Sequence, residues 1–272
     1  MRRRPTRRPV PATTLCSSVV PGNVGPLPSS LSRRRRGSLS LRMTSELSNF
    51  PRALSLAVHE LRTPITVASG YLRMLLREQA GPLTDRQRQM LEEADRSCAR
   101  IGALISEMSE LGKLEAGELS IPGVTFDLAA LSAELASNMH EGADRGIRLE
   151  VRTSTAVNVA GDRTRIAAAV RALIQASLRE RAEPGAIIVE CSTLSDIDRT
   201  WAVIAIGDDA ILPWLLEGVR STPSPPFDEW RGGLGLALPV GRRVIEAHGG
   251  AVWSAPAPRP RAGSALRLPS VQ

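Results

Sequence analysis

The chain has 272 residues, 42% hydrophobic and 23% charged: room for two modest domains, and no run of the roughly 18 uninterrupted apolar residues that a membrane span needs. Its three scattered cysteines, Cys16, Cys98 and Cys191, argue against a disulfide framework and for free thiols in a reducing, cytoplasmic setting. The net charge of +7 belongs to one end, because residues 1–42 hold ten arginines and no acid, leaving 25 basic and 28 acidic residues elsewhere, so no specific nucleic-acid partner is expected of the folded part.

Residues 1–45 are rich in Arg, Pro and Ser and lack hydrophobic periodicity. Such a segment buries too little apolar surface to offset its ordering entropy, so a disordered tail is expected. Nonspecific attraction to nucleic acid or acidic membrane through Arg2–Arg4 and Arg33–Arg36, an organellar leader, and a translation start at Met43 are all open readings of it.

The periodicity changes at Leu54. Apolar residues at Leu54, Val58, Leu61, Ile65, Ala68, Leu72 and Leu75 alternate by four and three, which draws one stripe along a helix. Beside the stripe runs His59-Glu60-Leu61-Arg62-Thr63-Pro64, with a proline where a helix interior loses a backbone bond. Gly81-Pro82-Leu83 ends this helix, and Thr84-Asp85-Arg86-Gln87 reads as a capping box opening a second one. The second stripe is Met90, Ala94, Ser97, Ile101, Leu104, Met108 and Leu111, closed by Gly112 and Gly117. Two helices cannot cover both stripes, whereas two copies make a four-helix bundle, so residues 46–120 predict a homodimer.

Near neutral pH an imidazole offers an uncharged nitrogen able to attack phosphorus. A carboxylate at the next position can hold the other ring nitrogen and take its proton, and Thr63, one turn on, shares the face of His59. The string and its helical setting resemble the H box of sensor histidine kinases of two-component signalling. The resemblance implies that His59 is the phospho-acceptor and Glu60 its base. It also implies that Thr63 places the water that hydrolyses the phosphoaspartate of a cognate response regulator.

If the resemblance continues, residues 124–270 form an α/β sandwich of the histidine-kinase ATP-binding type, a mixed sheet covered on one face by helices. Phe126-Asp127-Leu128 opens a helix; 145–151, 186–191 and 201–206 read as strands, and 263–269 resembles the last strand. Gly233-Leu234-Gly235-Leu236 matches the core of the glycine-rich G2 box, ahead of an amphipathic helix ending at Gly249-Gly250. Glycines at a helix start let backbone N–H groups approach phosphate. The cofactors implied are ATP and Mg2+, with Gly233, Gly235, Arg179 and Asp208 as nucleotide contacts and residues 221–230 as a lid.

Several of the family's nucleotide residues are replaced. The magnesium-binding asparagines of the N box align with Ala172 and Ala176, which offer no metal ligand. The adenine-binding aspartate aligns with Gly207, or with Asp208 after a slip of one residue, and the first G2 glycine is Arg231. Three readings stay open: an ATP-dependent histidine kinase, an ATP-independent phosphotransferase or response-regulator phosphatase, and a noncatalytic dimerisation partner of an active kinase.

Overall fold

The computed structural model describes residues 36–118, 120–153, 155–195, 199–221, 223–255 and 263–271, with side chains from residue 52 onward. The chain divides into units 1–45 and 46–272. Residues 1–35, most of the expected tail, lie outside the described residues, but helix α1 (Arg36–Leu76) begins inside that segment. No helix among the described residues is long and apolar enough to cross a membrane.

Helix α2 (Asp85–Glu115) opens on the capping box read from the sequence: Thr84 Oγ1 accepts the Gln87 N–H and the Gln87 side chain accepts the Thr84 N–H. Helices α1 and α2 form a hairpin. Leu54 sits 3.5 Å from where a Gly112 side chain would begin, and Arg88 donates to the Leu76 carbonyl at 3.3 Å across the turn. Among the described side chains of the hairpin, Val58 and Ile105 are the buried large residues. The stripes are only half sheltered. Leu54, Ile65, Leu72 and Leu75 are half-buried, while Leu61 and Ala68 are exposed. On α2 the inward side includes Leu91, Ala94, Cys98 and Ile105, and Met90, Ser97 and Ile101 of the expected stripe face outward. With Tyr71 and Met74 also exposed, the hairpin leaves several large apolar side chains uncovered.

The remainder is built on a five-stranded mixed sheet. Its strands are β2 (Ile147–Thr153), β4 (Gly185–Ser195), β5 (Thr200–Gly207), β6 (Ala251–Ser254) and β7 (Ser264–Pro269), in the order β2-β4-β5-β7-β6. The β2–β4 pair is parallel and the others antiparallel. A separate antiparallel pair, β1 (Val124–Asp127) with β3 (Asn158–Gly161), was not anticipated from the sequence.

Alternation along the strands separates two cores. Ile187, Val189 and Cys191 of β4 and Ala202, Ile204 and Ile206 of β5 pack beneath helices α3 (Leu128–Ser137), α4 (Arg163–Glu180) and α6 (Ala237–Ala247). Ile188, Trp201, Val203 and Ala205 point the other way, toward helix α5 (Leu212–Glu217) and Trp253. The expectation of helices on one face only is therefore corrected: α5 also covers part of the second face, anchored by Trp253 Nε1 donating to the Leu215 carbonyl at 3.0 Å. Burial pushes the Cys191 thiol up to about 12, which leaves it inert.

Each of α3 and α4 starts on an aspartate. Asp127 Oδ1 accepts from the Ala129 and Val157 N–H groups, fastening α3 to the approach to β3. Asp162 caps α4 through the Arg165 N–H at 3.1 Å. His248 closes the same corner, accepting the Asp162 N–H on Nε2 at 3.0 Å while Nδ1 lies 2.7 Å from the Val244 carbonyl. Both bonds are satisfied when the proton sits on Nδ1, so His248 is a structural residue.

Candidate functional site

His59 projects from α1 with its side chain 78% exposed, its Nδ1 4.0 Å from Oε1 of Glu60. That gap is too long for a direct hydrogen bond but short enough for one intervening water. Thr63, one turn on, is also exposed. Pro64 has no N–H to offer the Glu60 carbonyl, and Thr66 Oγ1 donates to the Arg62 carbonyl at 2.8 Å in the same stretch. The three residues singled out in the H box therefore share one accessible patch, beside a cavity of about 460 Å³ between α1 and α2 that His59 helps to line.

The glycine-rich loop is a second, separate location. Gly233 and Gly235 adopt φ of 60° and 65°, and with Arg179 they line a pocket of about 280 Å³ that includes Arg100 and Glu107 from α2. Arg179 is held by Glu141 at 2.7 Å and reaches the Gly233 carbonyl at 3.4 Å. Asp208 does not line this pocket. Its Oδ1 accepts the Ala210 and Ile211 N–H groups at 3.1 Å, shaping the entry to α5, and Oδ2 lies 3.6 Å from Arg181.

Beside that pocket, a buried ion pair joins the loop to the end of α4. Arg231, 6% exposed, donates Nε to both carboxylate oxygens of Glu180 at 3.1 and 3.0 Å, and Nη1 to the Gly263 carbonyl at 2.6 Å. Ala172 and Ala176 are buried. A side chain on Gly232 would begin 2.8 Å from the Ala176 Cα, so the loop backbone rests where an asparagine at 176 would extend. No group of three or more His, Cys, Asp or Glu side chains among the described residues could hold a metal. At the positions that the resemblance assigns to the magnesium-binding asparagines and the first G2 glycine, two side chains carry no oxygen and the third is a buried cation, a set that does not fit a magnesium–nucleotide complex. The segment expected as a lid is fastened at Pro226 and Asp228, with Ser254 N–H donating to the Pro226 carbonyl and the Asp228 N–H to Ser254 Oγ.

The sequence identified Arg231 only as a replacement; its partner Glu180, fifty-one residues away, carried no signal. Glu107 was likewise missed. It accepts the Leu236 N–H at 3.2 Å, at the start of α6, and burial raises its pKa, partly offset by that N–H. Glu110 with Arg165 (2.5 Å) and Glu115 with Arg243 (2.6 Å) complete a row of α2 carboxylates holding the sheet domain.

Comparison with known proteins agrees with the hairpin. Residues 52–117 match the His Kinase A (phospho-acceptor) domain. The chain is similar to the circadian input-output histidine kinase CikA of Synechococcus elongatus, 27% identical over 209 residues, covering 71% of this chain and 26% of CikA. It is also similar to the signal transduction histidine-protein kinase BarA of Escherichia coli, 28% identical over 202 residues, covering 71% of this chain and 22% of BarA. The chain thus spans about a quarter of the length of these curated relatives. Full-length ShkA, solved in complex with AMPPNP, shares the fold at a TM-score of 0.61 and 19% identity, over 82% of this chain and 46% of that one. The H box on α1 thus lies within a region that matches the His Kinase A (phospho-acceptor) domain, and the chain as a whole is similar to sensor histidine kinases.

Proposed function

We propose that this protein is an ATP-independent histidine phosphotransferase and response-regulator phosphatase, working as a homodimer. His59 exchanges a phosphoryl group with the aspartate of a response regulator, Glu60 takes up the ring proton through water, and Thr63 positions the hydrolytic water. The observation that carries this reading is the Arg231–Glu180 pair, a buried arginine held by a carboxylate at the position where the resemblance calls for the first G2 glycine. The exposed apolar side chains of Leu61, Tyr71, Met74, Met90 and Ile101 support the homodimer, since a second hairpin would cover part of them.

The second reading, an ATP-dependent kinase, is supported by Gly233 and Gly235, which keep the left-handed backbone of a phosphate-cradling loop. One experiment separates the two. Wild type and His59→Ala are incubated with γ-labelled ATP and magnesium, and in parallel with receiver domains phosphorylated on aspartate. Transfer from a receiver to wild type alone, with no label from ATP, is the expected result. Acid-labile, base-stable label from ATP alone would establish the kinase instead.

A further inference from the structure

The cavity beside His59 is a groove with chemistry of its own. Arg52, Ser55 and His59 are spaced along one side of α1, and Ser109 and Lys113 line it from α2, with Glu118 at the exit. Lys113 is the only lysine in the chain. In the sheet domain the arginines near the glycine-rich loop are engaged by carboxylates, Arg179 by Glu141 and Arg231 by Glu180. By contrast, neither Arg52 nor Lys113 has a carboxylate within 4.0 Å among the described residues. Two cations with no carboxylate partner among the described residues therefore flank an exposed imidazole in a cavity of about 460 Å³, within the size range of small-ligand sites.

We infer that this cavity binds a small acyl phosphate, which phosphorylates His59 directly. The inference rests on the proposed role of His59 as phospho-acceptor and supplies its donor. Phosphoryl transfer from a nucleotide needs charge neutralisation on a polyphosphate leaving group, the part this chain's alanines no longer provide. An acyl phosphate leaves as a carboxylate, whose conjugate acid has a pKa near 4, so departure at neutral pH needs neither metal nor proton. The step balances within the two reactants. His59 Nε2 attacks phosphorus, the bond from phosphorus to the acyl oxygen breaks, and the carboxylate leaves with the bonding pair. The Nδ1 proton of the resulting imidazolium passes through water to Glu60. Arg52 and Lys113 bind the non-bridging oxygens, where charge must be held through the transition state.

The test uses the full-length protein with 32P-labelled acetyl phosphate, and separately with labelled phosphoramidate, a donor that carries no acyl group. Wild type is expected to take label on His59 from acetyl phosphate. Lys113→Gln and Arg52→Gln are expected to lose about tenfold in rate each, and His59→Ala to take none. Circular dichroism on each variant verifies the fold. Equal rates in wild type and the Lys113→Gln/Arg52→Gln double variant would overturn the inference. Labelling of His59 by phosphoramidate but not by acetyl phosphate would overturn it too, while leaving His59 a competent acceptor. Label from neither donor, with no transfer from receiver domains, would overturn the proposed function as well.

Discussion

Arg231 and Glu180 meet inside the sheet domain, the guanidinium spanning from the glycine-rich loop to the end of α4 and donating onward to the Gly263 carbonyl before β7. One side chain thus ties together three segments distant in sequence. Arg231→Met leaves Glu180 without its cation and the Gly263 carbonyl without its donor. A loss of about 2–3 kcal/mol is expected in urea unfolding, with much of it recovered in Arg231→Met/Glu180→Leu. Equal stability of wild type and the single variant would show that the pair does not hold this corner.

Dimerisation is expected to depend on the outward face of the hairpin. Leu61→Glu or Tyr71→Glu places a charge on surface that a partner would bury. Each is expected to shift sedimentation from dimer to monomer at micromolar concentration while leaving helicity unchanged. A dimer that survives both substitutions would mean that another surface mediates it.

Thr63→Ala is expected to separate the two activities proposed for His59. The hydroxyl lies one turn from the ring and outside the transfer step, so receiver dephosphorylation is expected to fall by about a hundredfold with transfer to His59 little changed. Parallel loss of both rates would indicate that Thr63 supports the helix rather than the water.

Acid is expected to loosen the start of α4. Burial pushes the Asp162 carboxyl up, but the Arg165 N–H and guanidinium, with the Thr164 N–H, outweigh it and hold the folded pKa below its ordinary value. The depressed folded value means this contribution is fully present above the unfolded pKa, about 3.9, and is lost as pH falls through the folded one. Asp162→Asn is expected to cost about 1 kcal/mol at pH 7 and progressively less below pH 4, read from urea midpoints across pH.

Glu107 has the opposite sign. Burial raises its folded pKa, so its linked stability is greatest below the unfolded value, about 4.3, and declines as pH rises through the folded one. Glu107→Gln keeps an acceptor for the Leu236 N–H and removes the buried charge, so it is expected to match or exceed wild type at pH 7. Glu107→Ala loses the acceptor and is expected to weaken the contact of α2 with α6, seen as faster hydrogen exchange at Leu236.

Local signals settled the hairpin. Stripe spacing, the Gly-Pro break and the Thr84–Gln87 capping box act within a few residues, so α2 begins where the sequence indicated. The H box is local for the same reason: His59, Glu60 and Thr63 are neighbours on one helix wherever the rest of the chain goes. Strands β4, β5 and β7 and helix α6 also announced themselves by apolar runs and glycine punctuation. What only the tertiary structure decided depends on residues distant in sequence. The β1–β3 pair, the second core under α5, and the choice between Leu91 and Met90 as the inward side of α2 each require a partner surface that no window of sequence contains. The largest such case is Arg231. In the sequence it is one substituted glycine, equally compatible with a solvated charge; its burial follows from Glu180 and Gly263 arriving from other elements to satisfy it, since a cation is stable in an interior only where its partners converge.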